Sequence, residues 1–126
     1  QPHSAAVFSA VADLGVPRVH FGTATRSLLG DLLAAGADVV GVAADIGLDE
    51  ANLLLGGSVP LQGNLDPALL AADWPTLEAA ARDVVRRGSA APGHVFNLGH
   101  GVPPDTDPDT LTRLVELVHS IPPQES

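Results

Sequence analysis

A histidine flanked by two glycines follows an apolar segment that is typical of a buried strand. The segment Val95-Phe96-Asn97-Leu98 leads directly into Gly99-His100-Gly101. Because glycine has no side chain and accepts unusual backbone angles, the imidazole of His100 is presented with open space beside it. Imidazole donates or accepts a proton near neutral pH. Strand ends carry the chemistry of parallel α/β proteins, so His100 is a candidate catalytic residue, and the alternative is a histidine that caps the strand end and bonds to the backbone.

The elements that position His100 alternate between helix and strand. Strands are predicted at 18–22, 38–43, 59–63 and 94–99, and helices at 4–14, 25–35, 48–55, 75–87 and 107–120. This alternation predicts an α/β fold with right-handed crossovers and a parallel sheet. The pattern fits either a small open sheet or half of a (β/α)8 barrel. No linker interrupts it, so residues 1–126 are predicted to form one unit, with a frayed tail at 121–126.

The composition argues against several functions. The chain has 126 residues, a net charge of −9, 3% aromatic residues and no cysteine. Its arginines form no broad patch, so we expect no nucleic-acid partner. Without a long apolar run or a signal-peptide pattern, we expect no membrane partner and a cytoplasmic location. The absence of cysteine removes thiolate ligands, and no histidine pair has the helical i, i+4 spacing, so we expect no metal.

Three amide side chains near the predicted strand ends are weaker candidates for binding a substrate. They are Gln62, Asn64 and Asn97. Asparagine also tolerates tight backbone geometry, so turn formation is an alternative role for Asn64 and Asn97, and structural roles are favoured for both over substrate contact. Gln62 either points into the end of a barrel or packs there.

The other polar candidates have structural explanations. Asp107 precedes Pro108 and is predicted to cap the last helix, which leaves Asp105 as a solvated loop residue. His94 stands at the start of its strand, opposite the usual position of an active site, and is predicted to be structural. His20 is interpreted as a satisfied interior residue, and His119 as a surface residue of the last helix.

Three blocks of sequence, taken together, resemble the carboxyl-terminal third of the uroporphyrinogen decarboxylase family. The blocks are Leu61-Gln62-Gly63-Asn64-Leu65-Asp66-Pro67, Gly93-His94-Val95-Phe96-Asn97-Leu98-Gly99-His100-Gly101 and Pro104-Asp105-Thr106-Asp107-Pro108. The resemblance implies a (β/α)8 barrel, of which this chain supplies the last four βα units and lacks the amino-terminal half. It also implies a homodimer that removes the four acetate carboxyl groups of uroporphyrinogen III, giving coproporphyrinogen III in tetrapyrrole biosynthesis, without a cofactor.

Within this resemblance, His100 corresponds to an active-site residue that contacts a substrate carboxylate. The family's upstream groups that grip the pyrrole core have no counterpart in these 126 residues, so we expect the chain to be inactive alone. The family has an Asp-Trp pair where this chain has Ala43-Ala44, and this departure favours slightly a non-catalytic half-barrel or a self-assembling α/β module. A related methyltransferase is the remaining alternative, although its zinc site needs cysteine.

Overall fold

In the computed structural model, which describes residues 2–23 and 25–123, four parallel strands form one sheet in the order β1-β2-β3-β4. The strands are β1 (Val19–Phe21), β2 (Val39–Gly41), β3 (Leu61–Leu65) and β4 (His94–Leu98). The α-helices among these residues are α1 (Pro2–Ala10), α2 (Leu29–Ala34), α3 (Leu48–Leu54), α4 (Trp74–Gly88) and α5 (Pro108–Ser120). Short 3-10 helices lie at Ala12–Leu14, Thr25–Ser27 and Pro67–Ala71. The predicted parallel α/β fold is confirmed.

The two faces of the sheet have different surroundings. Val40 and Leu61 are paired in register, and both are fully buried beneath the helices. On the next level of the sheet, Phe21, Gly41, Gln62 and Val95 are aligned across all four strands. Because successive strand residues point to opposite faces, this second set faces away from the helices. We call the face that carries Phe21, Gln62, Val95 and Asn97 the open face.

Helix α4 organises the covered side of the sheet. It packs against β3, β4, α3 and α5, and its apolar stripe places Leu77 and Ala81 in the core with no exposed surface. Asp73 caps its first turn by accepting a hydrogen bond from the Thr76 amide, and Arg86 and Arg87 lie in its last turn. These charges complement the helix dipole at both ends. The result is a rigid support behind the two strands that carry the candidate site.

The boundaries of several predicted elements were wrong, and β2 ends at Gly41 rather than at residue 43. Strand β3 begins at Leu61 rather than at residue 59, because Pro60 has no amide N–H with which to start pairing. Each of the predicted helices at 4–14 and 25–35 divides into an α-helix and a 3-10 turn. Helix α1 contributes no fully buried residue, although Phe8 packs partly against the core. Of the predicted tail, 124–126 lie outside the described residues.

Candidate functional site

A cleft on the open face brings together three of the four predicted site residues. Its volume is about 210 Å³, and its lining is formed by Phe21, Gln62, Asn97, Leu98 and His100. Phe21 is the last residue of β1, and Asn97 and Leu98 end β4. The carboxyl ends of parallel strands meet at one edge of a sheet. This explains how Phe21 and His100, which are 79 positions apart, share one cleft.

The backbone before His100 is held tightly. The amide of Gly99 donates to the carbonyl oxygen of Leu65 over 2.7 Å, which extends the pairing between β3 and β4 by one residue. A Cβ atom placed on Gly99 would lie 2.5 Å from the amide nitrogen of Ala44. Only glycine fits this close approach. The exposed imidazole of His100 therefore follows a buried, fixed residue.

The two amides in the cleft are held differently. Gln62 is half-buried and lies in the interior of the sheet, with neighbours on both sides at Gly41 and Val95. Asn97 is exposed, and its Oδ1 accepts a hydrogen bond from the next backbone amide, that of Leu98, over 2.9 Å. This local bond orients the Asn97 carboxamide at the strand end. Both side chains place polar groups within reach of a ligand beside His100.

Asn64 does not join this cleft. It lies in β3, as Asn97 lies in β4, so the interpretation of these two asparagines as turn residues is wrong. Its Nδ2 donates to the carbonyl oxygen of Ala43 over 2.9 Å and to that of Ile46. The side chain is 8% exposed and borders a second pocket of about 330 Å³, which Ala44 also lines. Both N–H groups of the Asn64 carboxamide therefore already donate to backbone carbonyl oxygens.

The other histidines have the structural surroundings that the sequence predicted. His94 donates from Nε2 to the Gly63 carbonyl oxygen over 2.7 Å. His20 is half-buried, its Nδ1 lies 3.2 Å from the Leu32 carbonyl oxygen, and its ring meets Phe8 edge-on. His119 is exposed on α5. Within the described residues, no cluster of three histidine or acidic side chains could hold a metal ion.

Charged pairs lie away from the cleft. Hydrogen bonds from Arg18 lower the pKa of Asp38 to about 2 at the amino-terminal end of β2. On α4, hydrogen bonds from Arg87 and Arg86 lower the pKa of Asp83. None of these groups lines the cleft, whose described lining has no ionisable side chain apart from that of His100. The imidazole is therefore the group in this lining that can carry a positive charge to an anionic ligand.

The sequence patterns did not indicate the aromatic wall of the cleft. Phe21 is 45% exposed although it belongs to a strand. Its pairing with Gly41, on which a Cβ would lie 2.8 Å from the Phe21 Cβ, leaves no side chain on that side. The glycine in β2 was the available signal. An exposed aromatic ring beside amides and an imidazole suits a flat, partly apolar ligand that also bears polar groups.

A parallel sheet with helices on one face and a cleft at the carboxyl ends of its strands is the arrangement found in α/β barrels. The chain belongs to the uroporphyrinogen decarboxylase family, whose model matches residues 1–121. Members of this family are TIM barrels, and the four described strands form a partial unit of such a barrel. The resemblance drawn from the sequence is confirmed.

Curated relatives agree with the family match. The chain is 61% identical over 123 residues to the uroporphyrinogen decarboxylase of Arthrobacter sp. (strain FB24), which covers 98% of this chain and 36% of the relative. It is 57% identical to that of Salinispora tropica, covering 96% of this chain and 33% of the relative. The chain thus spans about a third of the length of these relatives. Among the described residues, no helix combines the length and apolarity needed to cross a membrane.

Proposed function

We propose that this chain forms part of the barrel and of the active site of a uroporphyrinogen decarboxylase. The reaction removes the four acetate carboxyl groups of uroporphyrinogen III and yields coproporphyrinogen III. One observation carries the proposal: the family match covers a chain in which Gln62, Asn97 and His100 line one cleft on the open face. The relatives, which are uroporphyrinogen decarboxylases by name, support the same reaction.

The cleft residues fit the demands of this reaction. Protonation of a pyrrole ring creates an electron sink, so the bond between the acetate methylene and its carboxylate breaks and carbon dioxide leaves. The methylene carbon then takes a proton and becomes a methyl group, and the ring returns its own proton. Because no electrons are gained or lost overall, the step needs no redox cofactor. Electrostatic preorganisation around the macrocycle lowers its barrier.

Each side chain has a role in this scheme. His100 donates an N–H to a substrate carboxylate and orients the macrocycle. Gln62 and Asn97 donate amide N–H groups to neighbouring carboxylates. Phe21 and Leu98 pack against the pyrrole faces and exclude water from the reacting bond. The remaining contacts to the substrate come from the rest of the barrel, so the chain alone is inactive, and the complete enzyme acts as a cytoplasmic homodimer.

The test restores the rest of the barrel. The chain is co-expressed with the part of the Arthrobacter decarboxylase outside the matched region, and coproporphyrinogen formation is measured by chromatography. The chain alone gives no product and the pair gives product. His100→Ala lowers kcat/KM of the pair by about 10²-fold, the usual loss when one donor to a developing or bound charge is removed.

The control is His3→Ala, which makes the same change at an exposed position on α1 and retains full activity. Decarboxylation by the chain without its complement contradicts the proposed division of the site. Equal kcat/KM for the two histidine variants contradicts the role of His100.

A second candidate function is assembly without catalysis. Strand β4 is an edge strand, and with α5 it borders an apolar cleft of about 540 Å³ lined mainly by valine and leucine. At the other edge, Val19 and Phe21 are 41% and 45% exposed. Unpaired strand edges promote association. A defined dimer of the chain by sedimentation, with no activity after complementation, would favour this function over the decarboxylase.

A further inference from the structure

A buried asparagine is connected to the candidate catalytic histidine through one loop. The loop comprises residues 43–46 after β2, and we call it the β2 loop. Asn64 of β3 donates one hydrogen bond to Ala43 at the start of this loop and another to Ile46 at its end. The single carboxamide therefore spans the whole turn. Because the side chain is buried, water competes poorly for either carbonyl oxygen.

The same loop supports the residue before His100. A Cβ on Gly99 would lie 2.5 Å from the Ala44 nitrogen and 2.6 Å from the Ala44 Cβ. Gly99 is buried between Ala44 on one side and its hydrogen bond to Leu65 on the other. Ala44 is the middle of the turn that Asn64 spans. A movement of the β2 loop is therefore transmitted directly to the backbone of Gly99.

We propose that Asn64 is a positioning residue that acts through the β2 loop and Gly99 to fix the backbone of His100. The effect of Asn64 on catalysis rests on the proposed function. The contacts from Asn64 through the β2 loop to Gly99 are a property of the structure itself. Asn64 has no place in the cleft of His100. Its influence on a ligand there is exerted by holding Ala44, against which the glycine before His100 packs.

Asn52 provides a matched control for Asn64. Both asparagines are 8% exposed, and Asn52 also donates from Nδ2 to a backbone carbonyl, that of Ala90, over 3.1 Å. Asn52 belongs to α3, and it lines neither the cleft of His100 nor the pocket of Asn64. Replacing either residue by alanine removes a buried carboxamide. Only the Asn64 variant removes hydrogen bonds to the β2 loop.

The experiment is NMR spectroscopy of the 126-residue chain without substrate. We expect a nuclear Overhauser effect between the Ala44 methyl and the Gly99 Hα protons in the wild type and in Asn52→Ala. In Asn64→Ala, this effect is lost, and the amide signals of Gly99, His100 and Gly101 shift. An unchanged Ala44–Gly99 effect and unchanged amide signals in folded Asn64→Ala overturn the proposal.

A second variant tests the same coupling if Asn64→Ala does not fold. Ala44 is exposed, so Ala44→Gly removes the methyl group that packs against Gly99 and leaves the core and the backbone contacts of residue 44 intact. We expect the backbone amide signals of Gly99 and His100 to shift. Because Asn64 contacts the same loop, we also expect its side-chain amide signals to shift. Shifts confined to residues 43–45 would overturn the proposal. Since no substrate is present, these spectra decide the coupling even where the complementation assay contradicts the decarboxylase function.

Discussion

Asn64 in β3 and Asn97 in β4 are direct partners in the register of the sheet, yet their surroundings are opposite. Asn64 is buried and bonded to two carbonyl oxygens of the β2 loop. Asn97 is exposed, bonds its own neighbouring amide, and lines the cleft. The same type of side chain thus stabilises the fold in β3 and faces the candidate site in β4.

The position of each strand in the sheet explains this difference. Strand β3 is central, so the loop after β2 lies beside it and supplies carbonyl groups that need donors. Strand β4 is at the edge of the described sheet, where no further described strand pairs with it, and Asn97 is exposed there. The side-chain amide of Asn64, near the end of a central strand, is hydrogen-bonded to the neighbouring β2 loop. An amide at the end of an edge strand stays available for a ligand or for another part of the barrel.

The largest effect that separates the two strands is expected at their glycines. Gly63 in β3 has φ +139°, and a Cβ there would lie 2.6 Å from the Val42 carbonyl oxygen. Gly63→Ala combines backbone strain with a clash, so we expect it to lower the free energy of unfolding by about 3 kcal/mol. Gly101, after β4, has nothing within 4 Å of an added Cβ.

Gly101→Ala is therefore the control, with an expected change below about 0.5 kcal/mol. Urea denaturation followed by circular dichroism measures both values. Equal losses for the two variants would show that the end of β3 is no more constrained than the loop after β4.

The asparagine pair is expected to give a smaller effect in the same direction. Asn64→Ala removes two buried hydrogen bonds, to the carbonyl oxygens of Ala43 and Ile46, and we expect it to lower the free energy of unfolding by about 2 kcal/mol. Asn97→Ala removes one exposed local bond, so its expected loss is below about 0.5 kcal/mol. In the complemented enzyme, the binding of substrate should be weakened by Asn97→Ala. A more destabilising Asn97→Ala would reverse the assignment of the two roles.

The sequence was sufficient to predict the features that depend on local chemistry. Asp107, followed by proline, caps α5 by accepting from the Asp109 amide, as predicted. Parallel pairing followed from the alternation of helices and strands, and the glycines around His100 indicated its exposure at a strand end. These features require only a few adjacent residues or a simple periodicity.

Features that depend on distant contacts were not predictable from the sequence. The burial of Asn64 requires the β2 loop, about 20 positions upstream, to fold over it. The exposure of Phe21 depends on a glycine in the neighbouring strand. The position of Ala44 against Gly99 joins two loops whose separation in sequence gives no indication of contact. The candidate histidine was therefore recognisable, whereas the residues that hold it were not.

The two edges of the described sheet also differ in their ion pairs, and the dependence of stability on pH tests this difference. The edge at β1 is fastened by Arg18, whose Nε donates to Asp38 over 2.8 Å, whereas no ion pair joins described residues of β4 to a neighbouring strand. Hydrogen bonds from Arg18 lower the pKa of Asp38 to about 2 in the folded chain, below the value near 3.9 of an unfolded aspartate.

A carboxyl group with a depressed folded-state pKa stabilises the fold above its unfolded pKa. The stabilisation from Asp38 is therefore complete above about pH 4 and is lost as the pH falls through about 2. We expect Asp38→Asn to flatten the acid limb of unfolding between these values, and Arg18→Gln to flatten it in part, because it removes the guanidinium bonds and keeps the bond from the backbone amide of residue 18 to Asp38. Chemical denaturation at a series of pH values measures the slope. If Arg18→Gln leaves the wild-type slope unchanged, the Arg18 guanidinium does not hold the carboxylate, and this ion pair does not fasten the β1 edge.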